Sequence, residues 1–186
     1  MVTIGVIADT HIPDRARKLN PRVLEIFNDL KVDMILHAGD VSAPYVLEEL
    51  EEIAPVHAVR GNRDWLLLSR LPMTLTLEFP GISIGLAHGH GGWKNYLADR
   101  FYLLSHDYSH EMLLPRLLET FPHQKVIVFG HGHVPLNSLM NGKLLFNPGS
   151  PHFPHTKRIT PSLGILHLSA GGEVNGEIIP LDQGTR

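Results

Sequence analysis

Two histidines separated by one glycine close a run of strand-forming residues in VFGHGHV, residues 128–134. The flanking glycines predict a tight loop at the strand's carboxyl end, and two imidazoles held on one loop suit a divalent metal ion. Four other strand-like segments end in a similar way. Asp9 and His11 follow the first in IGVIADTH, and Gly39-Asp40 the second in MILHAGD. Gly61-Asn62 follows the third in VHAVRGN, and His88 a later one in ISIGLAHGH. Carboxylate, imidazole and amide oxygen without sulfur suit Mn, Fe, Co, Ni or Zn. Three or more histidines disfavour Mg or Ca, which prefer oxygen donors.

These residues lie far apart in the chain, so regular elements must bring them together. Strand-like runs occupy 2–8, 34–37, 56–59, 75–79, 82–87, 126–129, 144–146 and 163–168. Helical periodicity fits 21–30 and 43–53, and a longer helical stretch covers 93–120, broken near 105–108 and kinked at Pro115. The first half alternates strand and helix, which predicts a parallel sheet. From Leu75 onward the strands are closely spaced and predict antiparallel pairing. The expected fold class is α/β, a four-layer αββα sandwich of two mixed sheets flanked by helices. In open α/β sheets ligands bind at the carboxyl ends of the strands, so the five termini can converge on one rim.

The bulk properties narrow the classes of function. A chain of 186 residues fits one domain, 1–186, with room for a sizeable core. A net charge of -3 and a pI near 6.5 argue against a nucleic-acid-binding or membrane-coating surface. No apolar run is long enough to span a bilayer. The absence of cysteine excludes disulfides, thiolate metal sites and thiol nucleophiles. With no signal-peptide pattern at the start, the expected location is cytoplasmic. The 13 histidines include no tag-like tract.

The ordered set D-x-H, GD, GN, H and GH-x-H resembles the calcineurin-like metallophosphoesterase superfamily. Length and the NPGS element at 147–150 bring it nearest the small bacterial and archaeal phosphodiesterases, and near the retromer subunit of the same fold. The resemblance implies that Asp9, His11, Asp40 and His133 hold one metal. It implies that Asp40, Asn62, His88 and His131 hold a second, with Asp40 bridging, so that the histidines of GHGH reach opposite metals while glycine lets the loop turn. The expected cofactors are two divalent ions, manganese first, with Ni, Fe, Co or Zn as alternatives. The implied chemistry is in-line attack on a small phosphodiester by a hydroxide bridging the metals. Two divalent ions, two aspartates and one hydroxide leave the core site at about +1 on a chain of net charge -3, which favours an anionic substrate. A homodimer is implied by the resemblance alone.

The sequence departs from the larger superfamily members where Arg63 stands in place of a histidine after Asn62. Arginine stays protonated at working pH, and general acid catalysis is worth roughly 100- to 10,000-fold. Esters with good leaving groups are therefore favoured. The remaining catalytic candidates beside Asp40 and Asn62 are Arg63, as a contact to phosphate oxygen, and His90, as an outer hydrogen-bond donor or substitute acid. Asp64 is expected to orient its loop and His37 to be structural. His106 and His110 read as a solvated helix face, and His152 and His155 as surface residues of a proline-rich loop from which Arg158 could reach substrate. A phosphomonoesterase or nucleotide phosphatase is the alternative enzyme, and a non-catalytic interaction module the alternative class. A nuclease on long DNA is disfavoured by the lack of a basic stripe or an added DNA-binding domain.

Overall fold

In strand β1 (Val2–Ile7), alternate side chains face opposite ways and find different cores. Ile4 and Val6 enter one apolar cluster, while Ile7 enters another with Val23 and Phe27 of helix α1 (Pro21–Asp29). Gly5 lets that helix approach, since a Cβ there would lie 2.8 Å from the Phe27 ring. The computed structural model describes residues 1–64, 68–102, 108–152 and 159–181.

The first sheet has the order β10-β9-β1-β2-β3. Strands β2 (Met34–His37) and β3 (Val56–Ala58) continue parallel from β1, each reached through a helix, α1 or α2 (Pro44–Glu51). Strands β9 (Ser162–Leu168) and β10 (Val174–Pro180) close the other edge antiparallel. The second sheet has the order β4-β5-β6-β8-β7. It contains β4 (Thr74–Phe79), β5 (Ile82–Ala87), β6 (Val126–Phe129), β7 (Leu136–Met140) and β8 (Lys143–Asn147).

The four-layer sandwich is as expected, with two corrections inside it. The centre of the second sheet is parallel, β5 with β6 and β6 with β8, and only the hairpins β4–β5 and β7–β8 are antiparallel. A parallel pair needs a long crossover, and the segment between β5 and β6 supplies it. That segment also has no kink at Pro115. It holds α3 (Trp93–Tyr102), a 3-10 turn (His110–Met112) and α4 (Leu114–Thr120). Pro115 sits in the first turn of α4, where its missing N–H costs nothing. The expected break falls largely on 103–107, outside the described residues.

Between the sheets Ile4, Val6, Leu36, Ile84, Val126, Val128, Phe146 and Leu166 are buried together. The outer face of the second sheet packs Ile127, Phe129 and Leu145 against Leu114, Leu117 and Phe121 of the crossover. The five strands β1, β2, β3, β5 and β6 run so that their carboxyl ends meet at one rim. No helix among the described residues is long and apolar enough to cross a membrane.

Candidate metal centre

The rim is stitched by backbone before any side chain is considered. Asp9 N–H donates to Gly39 O at 2.9 Å, His11 N–H to Asp40 O at 3.0 Å, and Gly130 N–H to His88 O at 3.2 Å. The loops therefore leave their strands side by side. Five of the seven predicted donors have positive φ: Asp9 (55°), His11 (50°), Asp40 (54°), His131 (71°) and His133 (54°). Such conformations are unusual outside glycine, cost about 1–3 kcal/mol each, and concentrate at functional sites.

All seven predicted donor side chains converge. On one side His11 Nε2 lies 3.1 Å from His133 Nε2 and 3.6 Å from Asp40 Oδ2, and His133 Nε2 lies 3.5 Å from Asp9 Oδ1. On the other, His88 Nε2 lies 3.1 Å from Asn62 Oδ1, 3.2 Å from His131 Nδ1 and 3.5 Å from Asp40 Oδ1. The two oxygens of Asp40 thus face opposite clusters. Two donors sharing an ion at about 2.1 Å stand about 3.0–3.4 Å apart in octahedral or tetrahedral geometry, close to these spacings. Both carboxylate oxygens of Asp9 are buried without a hydrogen-bond partner among the described residues. A buried carboxylate left so is costly, and a cation answers it. The residues fit divalent metal ions.

The electrostatics agree. Burial opposes charge on His88, yet Asp40, its contact with His88, and Asp9 push the ring up to about 9. Burial raises Asp9 to about 6 despite His133 and His88. Burial also opposes ionisation of Asp40, but His88 and His11 hold it below the ordinary carboxylate range. Burial keeps His11 neutral, down to about 3, and His131 well below its usual value, so both offer free lone pairs. Without ions, a proton on His88 provides the positive charge that two aspartates demand. His88 Nδ1 donates to Ala38 O at 2.8 Å and thereby turns Nε2 toward the cluster.

A further set of residues holds the donors. Asp64, 1% exposed, accepts from Gly61 N–H and Ser42 N–H at 2.8 Å each and from Val41 N–H at 3.4 Å. It ties the Asp40 loop to the Asn62 loop, as expected. His37 is structural, with Nε2 3.2 Å from Thr10 Oγ1, which also reaches Val41 O at 3.2 Å. In NPGS, Asn147 Nδ2 donates to Gly130 O at 2.9 Å and Ser150 Oγ to Asp9 O at 2.8 Å. Sequence reasoning missed the bracing by Thr10, Asn147 and Ser150; NPGS was visible, but its contacts depend on tertiary pairing.

Among the remaining candidates, His110 and His152 depart from the expected surface placement. Arg63 is exposed, and its backbone N–H donates to Asp40 Oδ1 at 2.8 Å. His90 is buried, its ring centroid 5.3 Å from His88 and 6.3 Å from His131, and burial holds it down to about 4. His110 does not lie on a solvated helix face: it sits in the 3-10 turn, Nδ1 3.0 Å from Tyr108 Oη, its ring edge-on to Phe129. His152 is half-buried and accepts from Asn20 N–H at 3.2 Å. His106, His155 and Arg158 lie outside the described residues. In GHGH both histidines take positive φ and Gly132 does not. The histidines make the turn. The glycine is needed because a Cβ there would overlap the Tyr108 phenol.

Comparison with known proteins agrees with this geometry. The model of the calcineurin-like phosphoesterase superfamily domain matches residues 2–171. A probable metallophosphoesterase of Methanothermobacter thermautotrophicus is 36% identical over 180 residues, covering 95% of this chain and 91% of that one. A phosphodiesterase of Methanocaldococcus jannaschii is 24% identical over 159 residues, covering 78% and 82%. In fold, Vacuolar Protein Sorting 29 of Cryptosporidium parvum superposes with a TM-score of 0.72 at 22% identity, covering 97% of each chain. With the matched domain and a curated relative at this identity, the chain belongs to the calcineurin-like phosphoesterase superfamily, among its metallophosphoesterases.

Proposed function

We propose that this protein is a metal-dependent phosphodiesterase acting on a small phosphodiester. The observation that carries the reading is Asp40, whose two oxygens face two histidine clusters while the carboxylate of Asp9 lies buried among histidines without a hydrogen-bond partner among the described residues. Asp9, His11, Asp40 and His133 would hold one divalent ion, and Asp40, Asn62, His88 and His131 the second, with manganese the first expectation. Ions bound there would supply a hydroxide nucleophile at neutral pH and positive charge against the phosphate oxygens during in-line displacement.

The chain's own residues do the rest. His11 and His131 stay neutral and ready to coordinate, and Asp64 keeps the Asp40 and Asn62 loops in register. Burial favours neutral His90, which donates a hydrogen bond toward substrate rather than a proton. Arg63, exposed and next to Asn62 in the chain, would contact an anionic ester oxygen. With arginine in place of a proton donor, diesters bearing good leaving groups are favoured over monoesters. The phosphodiesterase among the relatives supports the diester reading.

The test compares bis-p-nitrophenyl phosphate with p-nitrophenyl phosphate, using metal-stripped protein before and after manganese is restored. Manganese-dependent cleavage preferring the diester, and lost in Asp40→Asn and His131→Ala, is expected. A preference for the monoester would overturn it.

A further inference from the structure

We infer that the crossover between β5 and β6 is a clamp that holds the loops supplying His88, His131 and His133. It grips the His88 loop, which serves the second ion, and the GHGH loop, which serves both; the inference rests on the two-ion reading above. The first grip is Arg116 of α4. Its guanidinium makes a bidentate pair with the buried Asp99 of α3, Nη1 to Oδ2 at 2.8 Å and Nη2 to Oδ1 at 2.6 Å. Nη1 also donates to His90 O at 3.0 Å and Gly89 O at 3.4 Å, and Nη2 to Met112 O at 3.2 Å. The two loop carbonyls directly follow His88. One planar fork therefore fastens α3, the 3-10 turn and the His88 loop together.

The second grip is Tyr108. Its phenol lies against Gly132, between His131 and His133, in space that a Cβ would fill. Its hydroxyl is held 3.0 Å from His110 Nδ1, and His110 is wedged edge-on against Phe129 of β6. From α3, Tyr96 adds an edge contact to the His131 ring, centroids 6.2 Å apart. His131 and His133 both occupy the left-handed region. Such a conformation persists only where its surroundings hold it, and Tyr108 is what packs on the turn from outside the sheet.

Most donors of the first ion are held from elsewhere. Asp9 is braced by Ser150 and by the Gly39 carbonyl, and His11 by the Asp40 carbonyl. The Arg116 fork touches neither, whereas Tyr108 also packs beside His133. Loss of the fork should weaken the ion served by His88 and His131 and spare the other, and loss of Tyr108 should weaken both. Arg116, Asp99 and Tyr108 are thus positioning residues, acting through histidines they do not replace.

The experiment titrates manganese into the metal-stripped full chain by calorimetry and electron paramagnetic resonance. Wild type is expected to take two ions and show the exchange-coupled spectrum of a pair. Arg116→Gln should weaken the second ion roughly 10- to 100-fold, leave the first within a few-fold, and show the spectrum of an isolated ion at low loading. Arg116→Lys, which keeps charge but loses the fork, should fall between. Tyr108→Ala should weaken both ions; Gly132→Ala should weaken both further, and adding Tyr108→Ala should return binding to the level of Tyr108→Ala alone. Unchanged binding in Arg116→Gln or Tyr108→Ala, or equal weakening of both ions in Arg116→Gln, would overturn the clamp. Wild type binding fewer than two ions would instead overturn the reading beneath it.

Discussion

Replacing Asp64 by asparagine isolates the contribution of one buried carboxylate to the site without touching a donor. The carboxylate receives two short backbone hydrogen bonds, from Gly61 and Ser42, and a longer one from Val41. Asparagine can keep its oxygen toward Gly61 and Val41, but its amide then faces the Ser42 N–H, donor against donor. A buried unsatisfied donor costs roughly 1–3 kcal/mol, so a loss of about 2 kcal/mol is expected. For a chain of this size that lowers the melting temperature by roughly 4–8 °C. The same change loosens the Asp40 loop against the Asn62 loop, and manganese affinity should fall about 10- to 100-fold. Calorimetric melting of the metal-stripped protein measures the first effect, and a manganese isotherm the second. A variant that melts within about 1 °C of wild type, with manganese affinity unchanged, would refute the assignment of Asp64 as the tie between the loops.

Three further outcomes follow from the same geometry. His37 is buried and held down to about 3, whereas the unfolded chain protonates near 6.5, so its contribution is intact above pH 6.5 and lost as pH falls. At pH 5 the loss is about 2 kcal/mol, and chemical denaturation of His37→Gln should show a correspondingly flatter acid limb. His88, raised to about 9, carries a proton at pH 7.5 in the metal-free protein, so manganese should expel about one proton per chain and bind more tightly as pH rises toward 9; calorimetry in buffers of different ionisation enthalpy counts it. Gly85→Ala places a Cβ 2.5 Å from Phe121 Cδ1 and should cost about 1–3 kcal/mol in melting experiments, with manganese stoichiometry preserved.

The residues that could do chemistry were legible because strand ends are easy to see. A run such as MILHAGD ends visibly in glycine and a carboxylate, and the order of five such endings carried the family with it. Strands β7 and β10 were missed because LNSLM and VNGEIIP interrupt the apolar pattern with asparagine, glycine and glutamate on edges half open to water. The parallel centre of the second sheet was hidden too. It follows from which strand the crossover returns to, and spacing along the chain does not encode that. Gly132 shows the limit most clearly: its type was noticed and assigned to a turn, but the reason for it is a phenol 24 positions earlier in the chain. Tyr108 and Arg116 had no local signature, since their partners are loops brought near only by folding.

The bridging of two ions by Asp40 can be seen in the anomalous scattering of crystals grown with manganese. Two peaks are expected about 3.5–4 Å apart, one on each side of the Asp40 carboxylate, with loss of at least one in Asp40→Asn. A single peak, or two peaks that do not share Asp40, would contradict it.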